Sequence, residues 1–143
     1  MSELCLFCRV VAGTLPVESI YEDAHAIAFL DIHPINPGHV LVIPKVHSSD
    51  ITTIAPHEWT SLMETVRLLA PQVRDAVQAT GINIGMNNGS DAGQLIFHAH
   101  IHLIPRYTND NHQHWVGRDY SENGIHETGK LIRTHIEKNI PLQ

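Results

Sequence analysis

The sequence predicts an α+β domain with a mainly antiparallel sheet. Three observations predict it: short segments patterned as strands, one long amphipathic helix in the middle of the chain, and turn signals where neighbouring strands must reverse. The resulting order is strands, helix, hairpin, helix.

In chain order, residues 6–12 fit a short helix that Gly13 and Pro16 stop. Residues 18–22 and 25–31 alternate as strands around an Asp23-Ala24 turn. Asn36-Pro37-Gly38 marks the next turn, and Val40 to Ile43 is a strand rich in β-branched residues. Residues 56–80 carry the clearest helical pattern. Pro56 suits a first turn, and Trp59, Leu62, Met63, Val66, Leu69, Val73 and Val77 recur at helical spacing up to Gly81. Pro71 lies inside this pattern and predicts a kink or a split. Residues 82–87 read as a strand, and Asn88-Gly89 opens a turn-rich loop to Gly93. Residues 94–104 read as one long strand. Residues 119–138 are weakly helical, with Gly124 and Gly129 against it.

A chain of 143 residues, 43% hydrophobic and 17% charged, fits one compact domain over 1–143 with its own core. No stretch approaches the roughly 20 apolar residues of a membrane span. Met1-Ser2-Glu3-Leu4-Cys5 has neither the basic start nor the apolar run of a secretory signal. A cytoplasmic location is therefore expected. Nine Lys+Arg against fifteen Asp+Glu give a net charge of −6 and no broad basic surface. That argues against binding long nucleic acid. A small phosphate ligand remains compatible, held by backbone donors and histidines.

Two features carry chemistry. The first is Cys5-Leu6-Phe7-Cys8. In a reducing compartment this spacing fits a metal half-site, a redox pair or two inert thiols. The redox reading is the weakest, because the four residues ahead of it cannot supply the strand that usually precedes a redox turn. The second is His98-Ala99-His100-Ile101-His102-Leu103-Ile104. On a strand, alternate side chains share a face, so His98, His100 and His102 line up while Ala99, Ile101 and Leu103 face a core. Gln94 and Ile96 share the histidines' parity if no bulge intervenes. Imidazole serves as nucleophile, acid, base or ligand near neutral pH. A strand with no chemistry and a purely metal-binding strand are the rival readings.

The segment 98–104 resembles the hallmark of the histidine triad family, His-φ-His-φ-His-φ-φ with φ apolar, and the match is closest to its Hint-type branch. Gly93-Gln94, Pro105-Arg106, Tyr21-Glu22-Asp23, Phe29-Leu30-Asp31-Ile32, Pro37-Gly38-His39 and Leu41-Val42-Ile43-Pro44-Lys45 resemble it too. The resemblance covers roughly residues 4–107, leaving 108–143 as a C-terminal segment. It implies a five-stranded, mainly antiparallel sheet with two main helices, and a homodimer whose sheets join.

The resemblance also implies roles. His100 is the expected nucleophile, attacking the α-phosphorus of a purine nucleoside phosphoramidate or related nucleotide through a nucleotidyl-imidazole. His102 is expected beside the leaving group as acid or donor, Gln94 near the bridging atom, and His39 packed against the triad. Without the resemblance, His39 is equally well a turn histidine. Asp31 matches a ribose-binding acid, Asn87 a polar group at the phosphate end, and Phe29, Ile32 and Leu41 apolar residues around the nucleoside. The last three read equally as core, and Leu15 is a weaker match beside them. Relatives often carry Ser after the Gln where this chain has Leu95, so backbone N–H groups there would bind phosphate without a hydroxyl's help.

Some bacterial-type relatives hold a structural zinc, and Cys5, Cys8, His47 and His98 match its ligands. Two thiolates and two imidazoles suit a closed tetrahedral site. Two rival functions remain open: a Fhit-like dinucleoside polyphosphate hydrolase, and a non-catalytic nucleotide- or zinc-binding interaction protein. The other histidines, His25, His33, His57, His112, His114, His126 and His135, have no decisive spacing.

Overall fold

The computed structural model describes residues 5–141. They form two compact units, one ending at Asp110 and one starting at Asn111. The first unit runs α1 (Leu6–Val11), β1 (Ser19–Glu22), β2 (Ala26–Leu30), β3 (Val40–Pro44), α2 (Pro56–Ala76), β4 (Gly81–Gly85), a single 3-10 turn (Ser90–Ala92) and β5 (Ile101–Arg106). The second unit carries α3 (Gly124–Asn139).

The five strands order as β1-β2-β3-β5-β4, each pair antiparallel. Strand alternation sends Ala26, Ala28, Val40, Val42, Ile101 and Leu103 to one face, where Leu62, Val66, Leu69, Ala70 and Val73 of α2 cover them. Leu62 is essentially inaccessible, so its truncation to Ala would cost about 2–5 kcal/mol. The opposite face presents Ile27, Phe29, Leu41 and Ile43, packed with Phe7 and Val10 of the short α1. His102 pairs in register with Leu41 and therefore belongs to this second face.

Two local devices set the strand connections. Asp23 accepts from the His25 and Ala26 amides at 2.7 and 2.8 Å and from Thr65 of α2 at 3.0 Å, pinning the first hairpin to the helix. Gly38 sits at φ +89°, and a Cβ there would lie 2.9 Å from Val77 Cγ1. Only glycine satisfies both the turn and the packing.

The structure departs from the sequence reading in three places. α2 continues through Pro71 as one helix. α3 starts at Gly124 rather than 119, so Gly124 stands at its first turn, where the cost is small, while Gly129 lies inside the helix at a cost of about 1 kcal/mol relative to Ala. Most consequentially, β5 begins at Ile101, and residues 94–100 are irregular. The Ala99 amide bonds Ser48 O at 2.6 Å, and the His98 ring bonds Pro44 O at 2.8 Å. These bonds replace strand pairing there. His98, Ala99 and His100 are consequently all buried, and clean alternation starts only at Ile101.

Candidate active site and metal centre

The histidine segment does not present three equivalent rings. It divides them between two clusters, because the chain is a strand at His102 and irregular at His98.

His98, fully buried, turns toward α1. Its Nδ1 lies 3.5 Å from Cys5 Sγ, 3.7 Å from Cys8 Sγ and 3.3 Å from His47 Nδ1. Cys8 Sγ is 3.3 Å from His47 Nδ1, and all four donor atoms lie within 4.8 Å of one another. Bonds of about 2.3 Å to sulfur and 2.0–2.1 Å to nitrogen give a tetrahedron with edges of about 3.3–3.8 Å. The observed spacings fit that figure. The proton placement fits as well. His98 Nε2–H donates to Pro44 O, so Nδ1 directs a bare lone pair into the cluster. Burial lowers the His98 pKa, against a raising effect of the Pro44 bond, and keeps the ring neutral as a ligand must be. The residues therefore fit zinc.

The second cluster joins His100, His102, His39 and Asp31. His100 Nδ1–H donates to its neighbour's carbonyl, His98 O, at 2.7 Å. Its Nε2 is left unprotonated, the form a nucleophile needs. Burial pushes the His100 pKa down, partly offset by that bond and by the Asp31 charge. The His102 ring is 5.0 Å from the His100 ring, and its Nδ1 is 2.9 Å from His39 Nε2. Burial, then the neighbouring His100 and His39, lower His102 to about 4.

A backbone donor settles the tautomers. Ile35 N–H donates to His39 Nδ1 at 3.1 Å, so that nitrogen is bare and neutral His39 carries its proton on Nε2. His39 is held neutral chiefly by burial, against the Asp31 charge 3.7 Å away. His39 Nε2–H then donates to His102 Nδ1, which leaves His102 with Nε2–H as a free-facing donor. Asp31, His39 and His102 also lie within 4.8 Å of one another. Yet a proton between the two rings makes this set a relay, not a ligand cage.

Other expected residues have distinct surroundings. Phe29 and Leu41 are buried beside Phe7, with Leu15 partly buried against them. Ile32 and Leu95 are 84% and 90% exposed. Asp31 Oδ1 accepts from His33 N–H at 2.8 Å. Asn87 Nδ2 reaches Gly93 O at 3.5 Å. Gln94 is buried, and its amide is committed to the loop: Nε2 donates to Ser49 O at 2.7 Å and Ile96 O at 3.2 Å, while Oε1 accepts from Gly89 N–H at 2.8 Å. It braces the loop preceding the nucleophile, and the strand parity expected of it does not exist.

Phe7 escaped the sequence reading. Its ring meets His100 nearly edge to face, with centroids 5.3 Å apart, and also packs on His98 at 5.9 Å and Phe29 at 5.5 Å. The available signal was its place between two candidate ligands, Cys5 and Cys8. The Ile35 amide had no signal, since every residue but proline has one.

With this geometry in view, comparison with known proteins is direct. The HIT domain model matches residues 12–109, and the chain belongs to the HIT family. It is 42% identical over 106 residues to the Protein hit of Bacillus subtilis, covering 74% of this chain and 73% of that one. It is 37% identical over 106 residues to the adenylylsulfatase HINT3 of Arabidopsis thaliana, covering 74% and 54%. The crystal structure of SMU.412c from Streptococcus mutans superposes with TM-score 0.89 at 36% identity, over 96% and 88% of the two chains. A zinc-bound histidine triad family protein from Mycobacterium smegmatis superposes with TM-score 0.74 at 34% identity, over 94% of each. Among the described residues, no helix is long and apolar enough to cross a membrane.

Proposed function

We propose that this HIT protein hydrolyses purine nucleoside phosphoramidates, or closely related nucleotides, at the α-phosphorus through a nucleotidyl-His100 intermediate. The observation that carries the reading is the pairing of opposite tautomers. His100 offers a bare Nε2 beside His102, which offers Nε2–H. A nucleophile and a donor side by side are what displacement of an amine from phosphorus requires.

In the first step the His100 Nε2 lone pair forms a bond to phosphorus as the P–N bond breaks; the leaving nitrogen takes its proton from solvent and departs as the neutral amine, and His102, neutral throughout, supports it with a hydrogen bond from Nε2–H. In the second step water attacks phosphorus and gives up a proton to solvent as the bond from phosphorus to His100 Nε2 breaks, releasing the nucleoside monophosphate and free His100. Asp31 accepts hydrogen bonds from the ribose hydroxyls through the oxygen not used by His33. Phe29, Leu41 and the exposed Ile32 enclose the nucleoside, and Asn87 and the backbone at Leu95 face the phosphate end. Gln94 shapes that end by holding the loop. The name of the Arabidopsis relative supports an adenylyl substrate. Zinc, when bound at Cys5, Cys8, His47 and His98, supplies cross-linking between α1 and the histidine segment. With Cys5, Cys8, His47 and His98 all holding it, the ion would have no open position for substrate, which suits a structural role. The proposal includes a cytoplasmic homodimer, which sedimentation at micromolar concentration tests.

The deciding experiment is rapid-quench reaction with adenosine 5′-phosphoramidate. Wild type turns over and accumulates adenylylated protein, and His100→Ala does neither. A folded, zinc-loaded wild type that neither turns over nor labels overturns the enzyme reading in favour of a binding protein. Faster turnover of a diadenosine polyphosphate would favour the Fhit-like alternative.

A further inference from the structure

The relay that arms His102 depends on a backbone amide in the 33–38 loop, and that loop is clamped by a polar cluster with no part in the chemistry. Asn36 is its hinge point. The Asn36 side-chain Nδ2 donates to Pro105 O at 2.8 Å and to Asp110 Oδ2 at 3.0 Å. Its backbone carbonyl accepts from His39 N–H at 3.0 Å. Asp110 is itself fixed by a two-pronged pair with Arg106, at 2.7 and 2.9 Å, and by the Tyr107 amide at 3.1 Å. On the other side of the loop, Tyr107 Oη donates to Val77 O at 3.2 Å, and Gly38 packs against Val77 and Pro105. Thus the end of β5 grips the loop that carries Ile35 and His39.

We infer that Asn36 is a positioning residue for His102, acting through the Ile35 amide and the His39 ring. The geometry has a chemical consequence because imidazole tautomers are close in energy and a neighbouring hydrogen bond chooses between them. While Asn36 holds the loop, Ile35 N–H occupies His39 Nδ1, the shared proton sits on His39 Nε2, and His102 must present Nε2–H outward. When the clamp is released, Ile35 N–H drifts from His39 Nδ1. That nitrogen can then take the proton, and the bond between the rings reverses, so that His102 Nδ1–H points to His39 and Nε2 loses its proton. Asp110, with Arg106 behind it, gives the clamp its charge-assisted strength. The inference rests on the proposed reaction at His100 and adds the residues that set its donor.

The test compares two adenylyl substrates that differ only in need for a donor: the 5′-phosphoramidate, with a poor amine leaving group, and the p-nitrophenyl phosphate ester of adenosine, with a good one. For Asn36→Ala, kcat on the phosphoramidate should fall about tenfold with KM nearly unchanged, a fraction of the roughly 10²–10⁴ that acid–base groups contribute. On the p-nitrophenyl ester kcat should change by less than about twofold. Two-bond ¹⁵N–¹H spectra of the histidine rings should show His102 protonated on Nε2 in wild type and a mixture of tautomers in the variant. Asp110→Asn, which keeps the Asn36–Pro105 bond, should move the same readouts less, and serves if Asn36→Ala fails to fold. An equal fall on both substrates, or an unchanged His102 tautomer in a folded variant, overturns the inference. The spectra need no turnover. If wild type processes neither substrate, the proposed reaction fails while the tautomer result still decides the role of Asn36.

Discussion

The two histidine clusters invite comparison, because they use the same side chain within a few residues of each other and do opposite things with it. At the Cys5–Cys8–His47–His98 site, His98 gives its only proton outward to the Pro44 carbonyl, and its lone pair faces three other donor atoms. At the His39–His102 site, the Ile35 amide takes up a lone pair from outside, and the proton is forced between the rings. A carbonyl behind the ring bares the opposite nitrogen, as ligand in His98 and as nucleophile in His100, whereas an amide behind the ring of His39 places the proton between two rings. His98 and His100 also join the two sites physically. The His98 side chain belongs to the metal centre, and its carbonyl holds the nucleophile's Nδ1–H. The lesson is that the backbone partner fixes which ring nitrogen carries the proton, and the groups facing the other nitrogen then decide its use.

The largest expected effect breaks the relay cluster at its nucleophile. His100→Ala should lower phosphoramidate turnover by roughly 10³-fold or more while metal content stays at wild-type level. Steady-state kinetics with metal analysis of the same sample checks both halves. If the variant retains substantial turnover, another group attacks phosphorus.

Next comes the ligand cluster. Cys8→Ser should lose bound zinc and lower the thermal midpoint markedly, because binding free energy at such a site is folding free energy. Cobalt substitution gives an independent view: the wild-type protein should show a thiolate-to-cobalt charge-transfer band, at least halved in Cys8→Ser, where only the Cys5 thiolate remains, and undiminished in Asp31→Asn. A thiolate band of undiminished intensity in Cys8→Ser would refute the assignment of Cys8 as a ligand.

A smaller effect should separate the clusters from the other side. His39→Gln should cost about 10- to 100-fold in kcat through loss of the relay. Zinc stoichiometry and the cobalt spectrum should be untouched. Loss of metal in this variant would merge the two sites and undo the comparison.

The smallest is a pH effect. His102 is about 4 in the fold and takes the ordinary value of 6.5 when unfolded. Between these values the unfolded chain holds more protons, so stability falls as pH drops through that window and is unaffected by this group above it. Urea melts at about pH 7 and about pH 5 should show a larger loss for wild type than for His102→Asn. Zinc ligands titrate in both proteins and cancel. Equal losses would mean that His102 is not held neutral by the fold.

Much of this architecture is legible in the amino-acid order. The β-branched run Val40 to Ile43, the helical spacing from Trp59 to Val73 and the turn residues Asp23 and Gly38 correspond to the β3 strand, α2 and two connections. Each is a local preference that tertiary packing reinforces. Leu103 and Ile101 face the core as alternation requires. Residues 94–100 are different. Their pattern is strand-like, but side-chain and amide bonds to Pro44, Ser48 and Ser49 outcompete the ladder, and such long-range bonds leave no periodic trace. The strand parity read for Gln94 fails for that reason, and Phe7 carries little signal because an apolar residue between two cysteines reads as ordinary core.

The sequence by itself determined the composition of both sites: which histidines, which thiols and which carboxylate this protein has, and the strand and helix periods that bring them to one sheet. Tertiary structure alone decided which ring nitrogen carries each proton. That choice belongs to the Pro44 and His98 carbonyls and the Ile35 amide, whose positions follow from how distant loops are clamped. Every residue contributes a carbonyl, and every residue but proline an amide, so residue identity cannot encode which one lies behind a given imidazole.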